Sequence, residues 1–527
     1  MVSASELPVD TLDEGTTAIS MAQTIFGNGV TILSASYSGD TASAGIYSNG
    51  NSIAPGATPS DTGVILSTGF AEDFTNSSGE ANQSTATSTN TAGLNNLSEF
   101  NSVAGTRTFD AAFLDADFIP TGDVMAMQFV FSSEEYTEFQ NSVYQDFVTV
   151  WINGNPVDLA VGNSDIDPGN VNSVASENLF VDNSTDDFNT EMDGLTITLS
   201  LTIPVNSGAV NSIRIGIADV GDQNYDSSLL IAADSLQTTL VAVEDSTTLV
   251  PTGSTTVDVL ANDINANSGL LLITQINGES VFPGQSVMLN TGQTVTLNFN
   301  GTLTIAGDGD DEDFDFTYSI NNGFENDTGI VNVSSIPCFV AGTKIATAQG
   351  NVAVETLQPD DLVMTKDDGL QPLRWIGQRT LRADGAFAPI RISANTFGQH
   401  ETLLVSPEHR VLIRDSLAEL LFGEAEVLVA AKHLVNGTTV TRRAGGLVTY
   451  IHIMFDRHQV VFSDGLATES YLPGPQTQNI FEQDTLDEIC AIFPQIDPMT
   501  GGGYSCAARR TLREYEAGLW LKKRAAA

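Results

Sequence analysis

Charge is distributed along this chain so unevenly that a single folding unit is excluded. Residues 1–336 hold two basic residues, Arg107 and Arg214, against 44 acidic ones, a net of −42. The remaining 191 residues hold 18 basic and 22 acidic, a net of −4. A step of this size marks two proteins in one chain, each adapted to its own ionic surroundings, and 527 residues leave room for three or four domains. An overall charge of −46 repels phosphate, so a nucleic-acid partner is excluded. The hydrophobic fraction of 41% supplies real cores, so the acidity belongs to folded domains and not to a disordered tail. No window approaches 18 consecutive apolar residues, and the start MVSASELPVD has neither a basic nor an apolar leader region, so neither a transmembrane segment nor an N-terminal signal peptide is expected.

All five histidines (His400, His409, His433, His452, His458) and all three cysteines (Cys338, Cys490, Cys506) lie beyond residue 336. Acid–base and nucleophilic chemistry is therefore confined to the back third. Three widely spaced cysteines do not make a disulfide framework, and Cys490 and Cys506 read as structural.

Apart from a helix expected near Thr17–Phe26, residues 1–241 alternate like strands between turn residues, as in Val124–Phe131, Phe147–Ile152, Leu195–Ile203 and Ser212–Ile217. A β-sandwich or jelly roll is expected. The phrases GVILSTGFAEDF, QFVFSSEEYTEF, TEMDGLTITL and IGIADVGDQNYDSSLLI resemble the choice-of-anchor L domain over about residues 25–236. That resemblance implies a secreted or surface bacterial module and not a reaction. Glu134, Glu135, Asp146, Asp193, Asp219, Asp222 and Asp226 offer hard oxygen ligands with few competing ammonium groups, and calcium is the cation they suit. The competing reading makes them turn caps facing solvent.

Residues 242–336 read as about seven short strands with Asn277-Gly278, Asn300-Gly301 and Asn322-Gly323 turns, a pattern that suits an immunoglobulin-like sandwich. With the phrase VDVLANDIN they resemble the cadherin-like modules of bacterial adhesins, which implies a spacer. The acidic run Asp308–Asp313 reads as a solvated hairpin tip, with a calcium loop as the alternative.

From 337 to 473 come CFVAGTKIATAQGNVAVETLQPDDLVMTKD, LRWIG, LVSPEHRVLI, EVLVAAKHL and YIHIMFDRHQVVFSDGLATES. In this order the blocks resemble the Hint domain of hedgehog C-terminal domains and inteins, an all-β, horseshoe-like fold. The resemblance implies that the Cys338 thiol attacks the carbonyl of Pro337, converting the peptide bond to a thioester, with His409 donating a proton to the leaving nitrogen. Ser406-Pro407-Glu408-His409 stands at the family's Thr-x-x-His block, and the Ser406 hydroxyl is expected to orient the scissile amide or the imidazole. His458 matches the histidine of the later strand block, and Asp456 and His452 lie near it in sequence. Where inteins end in His-Asn this chain has Ala467-Thr468-Glu469-Ser470, so splicing is not expected, and nothing resembles a sterol-recognition extension. Asp360 occupies a turn position that the family usually gives to glycine. The expected outcome is one cleavage at Pro337–Cys338, with water, an amine or a thiol as acyl acceptor and no required cofactor.

The tail, residues 474–527, turns helical and basic in RRTLREYEAGLWLKKRAAA, and docking on the preceding domain is expected. The sequence thus describes a mainly β, extracellular or cell-surface protein, exported by a non-classical route, that detaches its acidic cargo once. The alternative is a calcium-dependent structural adhesin, with a cell-surface or matrix partner, whose Hint-like domain is inactive. A turnover cysteine protease rests only on one cysteine and nearby histidines.

Overall fold

The period-two alternation of the sequence reappears as alternating burial in Leu199–Pro204, Thr294–Leu297 and Leu303–Ala306, whereas Gly63–Ser67, Phe147–Ile152 and Ser227–Ala232 are buried on both faces. The structure is a computed structural model. It describes residues 4–78, 81–84, 86–137, 139, 142, 144–157, 166–249, 253–267, 269–308, 314–334, 338–383, 388–422 and 424–472, and in the tail 493, 505, 507–512, 517, 520–521 and 524. The chain divides into two compact units: residues 1–245, 256–304 and 314–332, and residues 246–255, 305–313 and 333–527. The fold is mainly β, as the sequence implied.

In the first unit the expected helix forms over Ala18–Ile25. Thr17 and Ser20 make a reciprocal capping box that satisfies backbone N–H groups at its start, and Met21, Ala22 and Ile25 face the core. Two antiparallel sheets follow. The larger runs in the order Val9–Thr11, Ala44–Tyr47, Gly63–Ser67, Ser227–Ala232, Val124–Ser133, Gly194–Thr196, Phe180–Asp182, and Leu199–Pro204 also pairs Val124–Ser133. The smaller runs Val30–Ser38, Thr108–Pro120, Asn211–Val220, Phe147–Ile152, Asn155–Pro156. Met125, Met127, Phe129 and Phe131 from one sheet share a core with Val148, Val150, Ile213, Ile215 and Ile217 from the other. Arg214, on the opposite face, binds Asp115 at 2.7 Å and also pairs with Glu99.

Within the same unit, Leu272–Ile276 turns into Glu279–Ser280 through Asn277 and Gly278, whose φ values of 49° and 79° are the left-handed pair that a tight hairpin needs. Leu272–Ile276 also pairs Phe314–Asn321, and Ser286–Met288 pairs Thr294–Leu297. Of the acidic run, residues 309–313 lie outside the described residues.

The second unit carries a six-stranded and an eight-stranded antiparallel sheet. The first runs Trp375–Arg382, Leu447–Met454, Phe339–Val340, Leu403–Val405, Ile390–Ile392, Val440–Arg442. Asp360 adopts φ 73°, a left-handed conformation natural to glycine, and its carboxylate lies 3.5 Å from Arg374. The tail docks as expected: Leu512, Ala517 and Trp520 are fully enclosed in the same core as Phe339, Val405, Ile451 and Ile453.

Candidate functional site

Strand register brings the chemistry together. The two-residue strand Phe339–Val340 pairs antiparallel on both sides, with Phe339 opposite Val405 on one and opposite Ile451 on the other. Carrying each register back by one residue sets Cys338 between Ser406 and His452. The contacts follow: the Cys338 N–H donates to Ser406 Oγ at 2.7 Å, the Ser406 N–H returns a bond to the Cys338 carbonyl at 2.9 Å, and Cys338 Sγ lies 3.3 Å from His452 Nε2. All three residues are buried, and Cys338 is in no disulfide. The nitrogen held by Ser406 is the nitrogen of the 337–338 peptide bond. Residue 337 itself lies outside the described residues.

His409 closes the turn that Ser406 opens, its N–H donating to the Ser406 carbonyl at 3.2 Å, and its ring packs 4.3 Å from that of Phe339. Among the described residues neither of its ring nitrogens has a hydrogen-bond partner. Burial drives its pKa down to about 4, against a smaller upward pull from Glu469, so the imidazole is neutral near pH 7. A buried polar group with no partner calls for a functional explanation.

His458 is fixed from three sides. Its Nδ1 accepts the Ala508 N–H at 2.9 Å, which leaves the proton on Nε2, and Nε2 donates to the Ser470 carbonyl at 3.1 Å. Its own backbone N–H donates to Ser505 Oγ at 2.8 Å. Glu469 Oε2 stands 3.4 Å from Nε2 of His458 and 3.2 Å from Arg410, while Oε1 accepts the Arg410 N–H. Although burial opposes ionisation, Arg410 and His458 hold the Glu469 carboxyl down to about 2. Sequence reasoning noted Glu469 only as a departure from the intein ending and missed Ser505 and Ala508. The strand's alternation gave no signal for it: Leu466 and Thr468 form the buried face, and Glu469, on the face of half-buried Ala467, is enclosed beside Arg410 and His458.

Asp456 stands elsewhere: its carboxylate grips Arg374 at 2.8 and 2.9 Å and is largely exposed. His400 organises its own loop, accepting the Phe397 N–H on Nε2. Cys490 and Cys506 lie outside the described residues.

In the first unit the predicted cation ligands fall into two groups. Glu134, Glu135, Asp146, Asp193, Asp219 and Asp226 are buried, whereas Asp222 is half-exposed and caps its own turn through the Asn224 N–H at 3.0 Å. Burial is the first cause of every shift that follows. It pushes Glu134 up to about 9, Glu135 to about 10 and Asp146 to about 8, and it raises Asp219 well above the usual carboxylate range. Neighbouring carboxylates add to this, Asp193 on Glu134 and Asp146 on both Glu135 and Asp219. Asp226, whose Oδ1 accepts the Thr89 N–H, reaches about 6. Asp193 Oδ1 accepts from Asn82 at 2.6 Å. Among the described residues, no three acidic, cysteine or histidine side chains already stand in metal-binding geometry.

Comparison with known families agrees with this division of the chain. Residues 9–237 match the choice-of-anchor L domain and residues 337–475 match the Hint domain. The chain therefore carries both domains, which supports an autoprocessing or surface protein in general. No curated protein gives a significant match. Among solved structures, the crystal structure of the gp41-1 intein is 12% identical and covers 25% of this chain and 98% of its own, with a TM-score of 0.18. The crystal structure of the MchDnaB-1 intein is 11% identical with the same coverages and a TM-score of 0.19. Extracellular domains 3–5 of Drosophila OTK are 8% identical, covering 51% of this chain and 85% of their own, with a TM-score of 0.15. Among the described residues no helix is long and apolar enough to cross a membrane.

Proposed function

We propose that the Hint domain cleaves the chain once, between Pro337 and Cys338, by an N-to-S acyl shift, and so detaches the acidic N-terminal modules at the cell surface or outside the cell. The observation that carries this reading is that Cys338 offers both of its reacting atoms to one site, its nitrogen to the Ser406 hydroxyl and its sulfur to the His452 imidazole.

The steps balance with groups at hand. His452 Nε2 takes the thiol proton, and the Sγ electron pair adds to the carbonyl carbon of Pro337. A free thiol with a pKa of about 8.5 is mostly protonated at neutral pH, so a base within reach is needed. The tetrahedral adduct then expels the Cys338 nitrogen, which takes the proton back from His452. This leaves a thioester on Sγ and a free amine on Cys338. Water adds to the thioester, the carbon–sulfur bond breaks, and the thiol returns as the Pro337 carboxylate departs; an external amine or thiol serves in place of water. His409, neutral at this pH, acts as an N–H donor toward the scissile bond and not as an acid. The chemistry stops at cleavage because Glu469-Ser470 supplies no asparagine to cyclise.

Hydroxylamine tests the thioester. The fragment ending at Pro337 is expected to carry a hydroxamate, formed faster as hydroxylamine rises. A plain carboxylate released at an unchanged rate would argue against an acyl–enzyme step.

A further inference from the structure

Parts of two of the four phrases that carry the choice-of-anchor resemblance, FVFSSEEY and IADVGDQNYDSS, meet in space, and neither is used by the cleavage site. Glu134 follows the strand Val124–Ser133, Asp219 lies near the end of Asn211–Val220, Asp226 immediately precedes Ser227–Ala232, and Asp110 sits in Thr108–Pro120 with φ 44°. Ser227 pairs with Ser133, and the Glu134 N–H donates to the Asp226 carbonyl at 3.1 Å, which ties two of these segments together. Asp219 continues the core-facing series Ile213, Ile215, Ile217, just past a register shift against Thr108–Pro120. A carboxylate thus stands where the strand's period calls for an aliphatic side chain.

Among the described residues, five carboxylate oxygens here are buried with no partner in hydrogen-bond geometry, although the Thr87 side chain acts on Glu134: both of Glu134, Oδ1 of Asp110, Oδ1 of Asp219 and Oδ2 of Asp226. The four residues are 0–3% exposed. They are mutual neighbours, with Asp226 acting electrostatically on Glu134, Asp146 and Asp219, and Asp110 acting on Asp219 and Asp226. Room is reserved for them: a Cβ on Gly69 would meet Asp226 Oδ2 at 2.0 Å. No basic side chain answers them, since Arg214 is engaged by Asp115 and Glu99 and Arg107 is exposed. Asp226 Oδ1 and Asp110 Oδ2 do accept bonds, from the Thr89 N–H and from Gln223, but burying the remaining carboxylate oxygens without a counter-charge is strongly unfavourable.

We propose that the choice-of-anchor domain binds a hard divalent cation of the calcium class through Glu134, Asp219 and Asp226, with Asp110 and Asp146 completing the oxygen shell. All the proposed ligands are carboxylate oxygens, which suit calcium over zinc or copper. The side chains close around the ion on binding, because they do not yet stand in coordination geometry. Protons are the rival: each protonated acid would need an acceptor of its own, and five partnerless oxygens fit an ion better.

The test is calorimetry of the full chain with and without calcium, alongside Asp226→Asn, Glu134→Gln and the surface control Asp117→Asn. At about a hundred times the dissociation constant, calcium is expected to raise the melting temperature of the choice-of-anchor transition by about 5–10 °C. Chelator reverses the rise, magnesium gives less, and Asp117→Asn retains it while the two cluster variants lose it. An unchanged melting temperature, or an equal rise in both cluster variants, overturns the proposal. Should those variants fail to fold, radiocalcium dialysis on the unaltered chain decides: saturable binding that survives 0.5 M NaCl, at about that ionic strength screening surface charge, supports the site, and its absence overturns it.

Discussion

Replacing His409 by leucine is expected to stabilise the Hint domain in mild acid while abolishing cleavage. The imidazole is enclosed, with no partner on either nitrogen among the described residues, and its folded pKa is about 4 against an ordinary 6.5. Between those values the unfolded chain binds the proton and the folded one does not, so stability falls as pH drops from about 6.5 towards 4. By pH 4.5 the loss is about 2–3 kcal/mol. Glu469 acts lower: its folded pKa of about 2 lies below the ordinary 4.5, so its contribution is present above 4.5 and lost as pH falls from there towards 2. The window from pH 7.5 to 4.5 keeps most of the Glu469 contribution in place, and the difference between His409→Leu and its parent isolates His409 from other groups such as Asp464. Calorimetry on a Cys338→Ala background, which keeps the chain whole, is expected to show the Hint transition dropping by about 5–10 °C across that window. In His409→Leu most of that drop disappears, because an apolar side chain has neither a proton to gain nor a hydrogen bond to miss. Equal pH slopes in the two proteins would refute the claim that this imidazole is held neutral by burial.

Two further perturbations separate the parts of the site. His452→Gln removes the base beside the thiol, and cleavage is expected to slow by about 10²–10⁴-fold, with a rate that climbs with pH as hydroxide replaces the missing base; an unchanged pH–rate profile would remove His452 from the mechanism. Trp520→Ala empties an enclosed site in the Hint core and is expected to cost about 3–5 kcal/mol in urea unfolding, whereas a loss under 1 kcal/mol, roughly that of a surface change, would mean that the tail is not part of that core.

Much of this could be read from the residues, and what could not depends on register. Phe147–Ile152 forms the strand its alternation implies, but the expected strand Leu195–Ile203 is two, Gly194–Thr196 and Leu199–Pro204. The ladder breaks there because Thr196 Oγ1 takes the Phe131 N–H and the Ile197 N–H turns to the Leu179 carbonyl, choices made by neighbours far along the chain. A candidate set of Cys338, Ser406 and His409 was legible from the order of the Hint blocks, and Cys338 does meet Ser406. The partnership of Cys338 with His452 was not, since it follows from Phe339 facing Ile451, a register that two residues of strand do not announce. Asp456 sits as close to His458 in sequence as any candidate, yet Arg374 holds it elsewhere. Likewise, nothing local distinguishes half-exposed Asp222 from buried Asp219; only the strand that carries Asp219 inward does so.

The central claim is that Cys338 cuts the bond before itself. Intact-mass spectrometry of the full chain and its Cys338→Ala variant, followed over time with and without thiol, tests it most directly. The unaltered chain is expected to yield one fragment ending at Pro337 and one beginning at Cys338, faster with thiol, while the variant stays whole. Two proteins that both remain whole, or that fragment alike, would contradict it and leave the Hint domain an inactive scaffold.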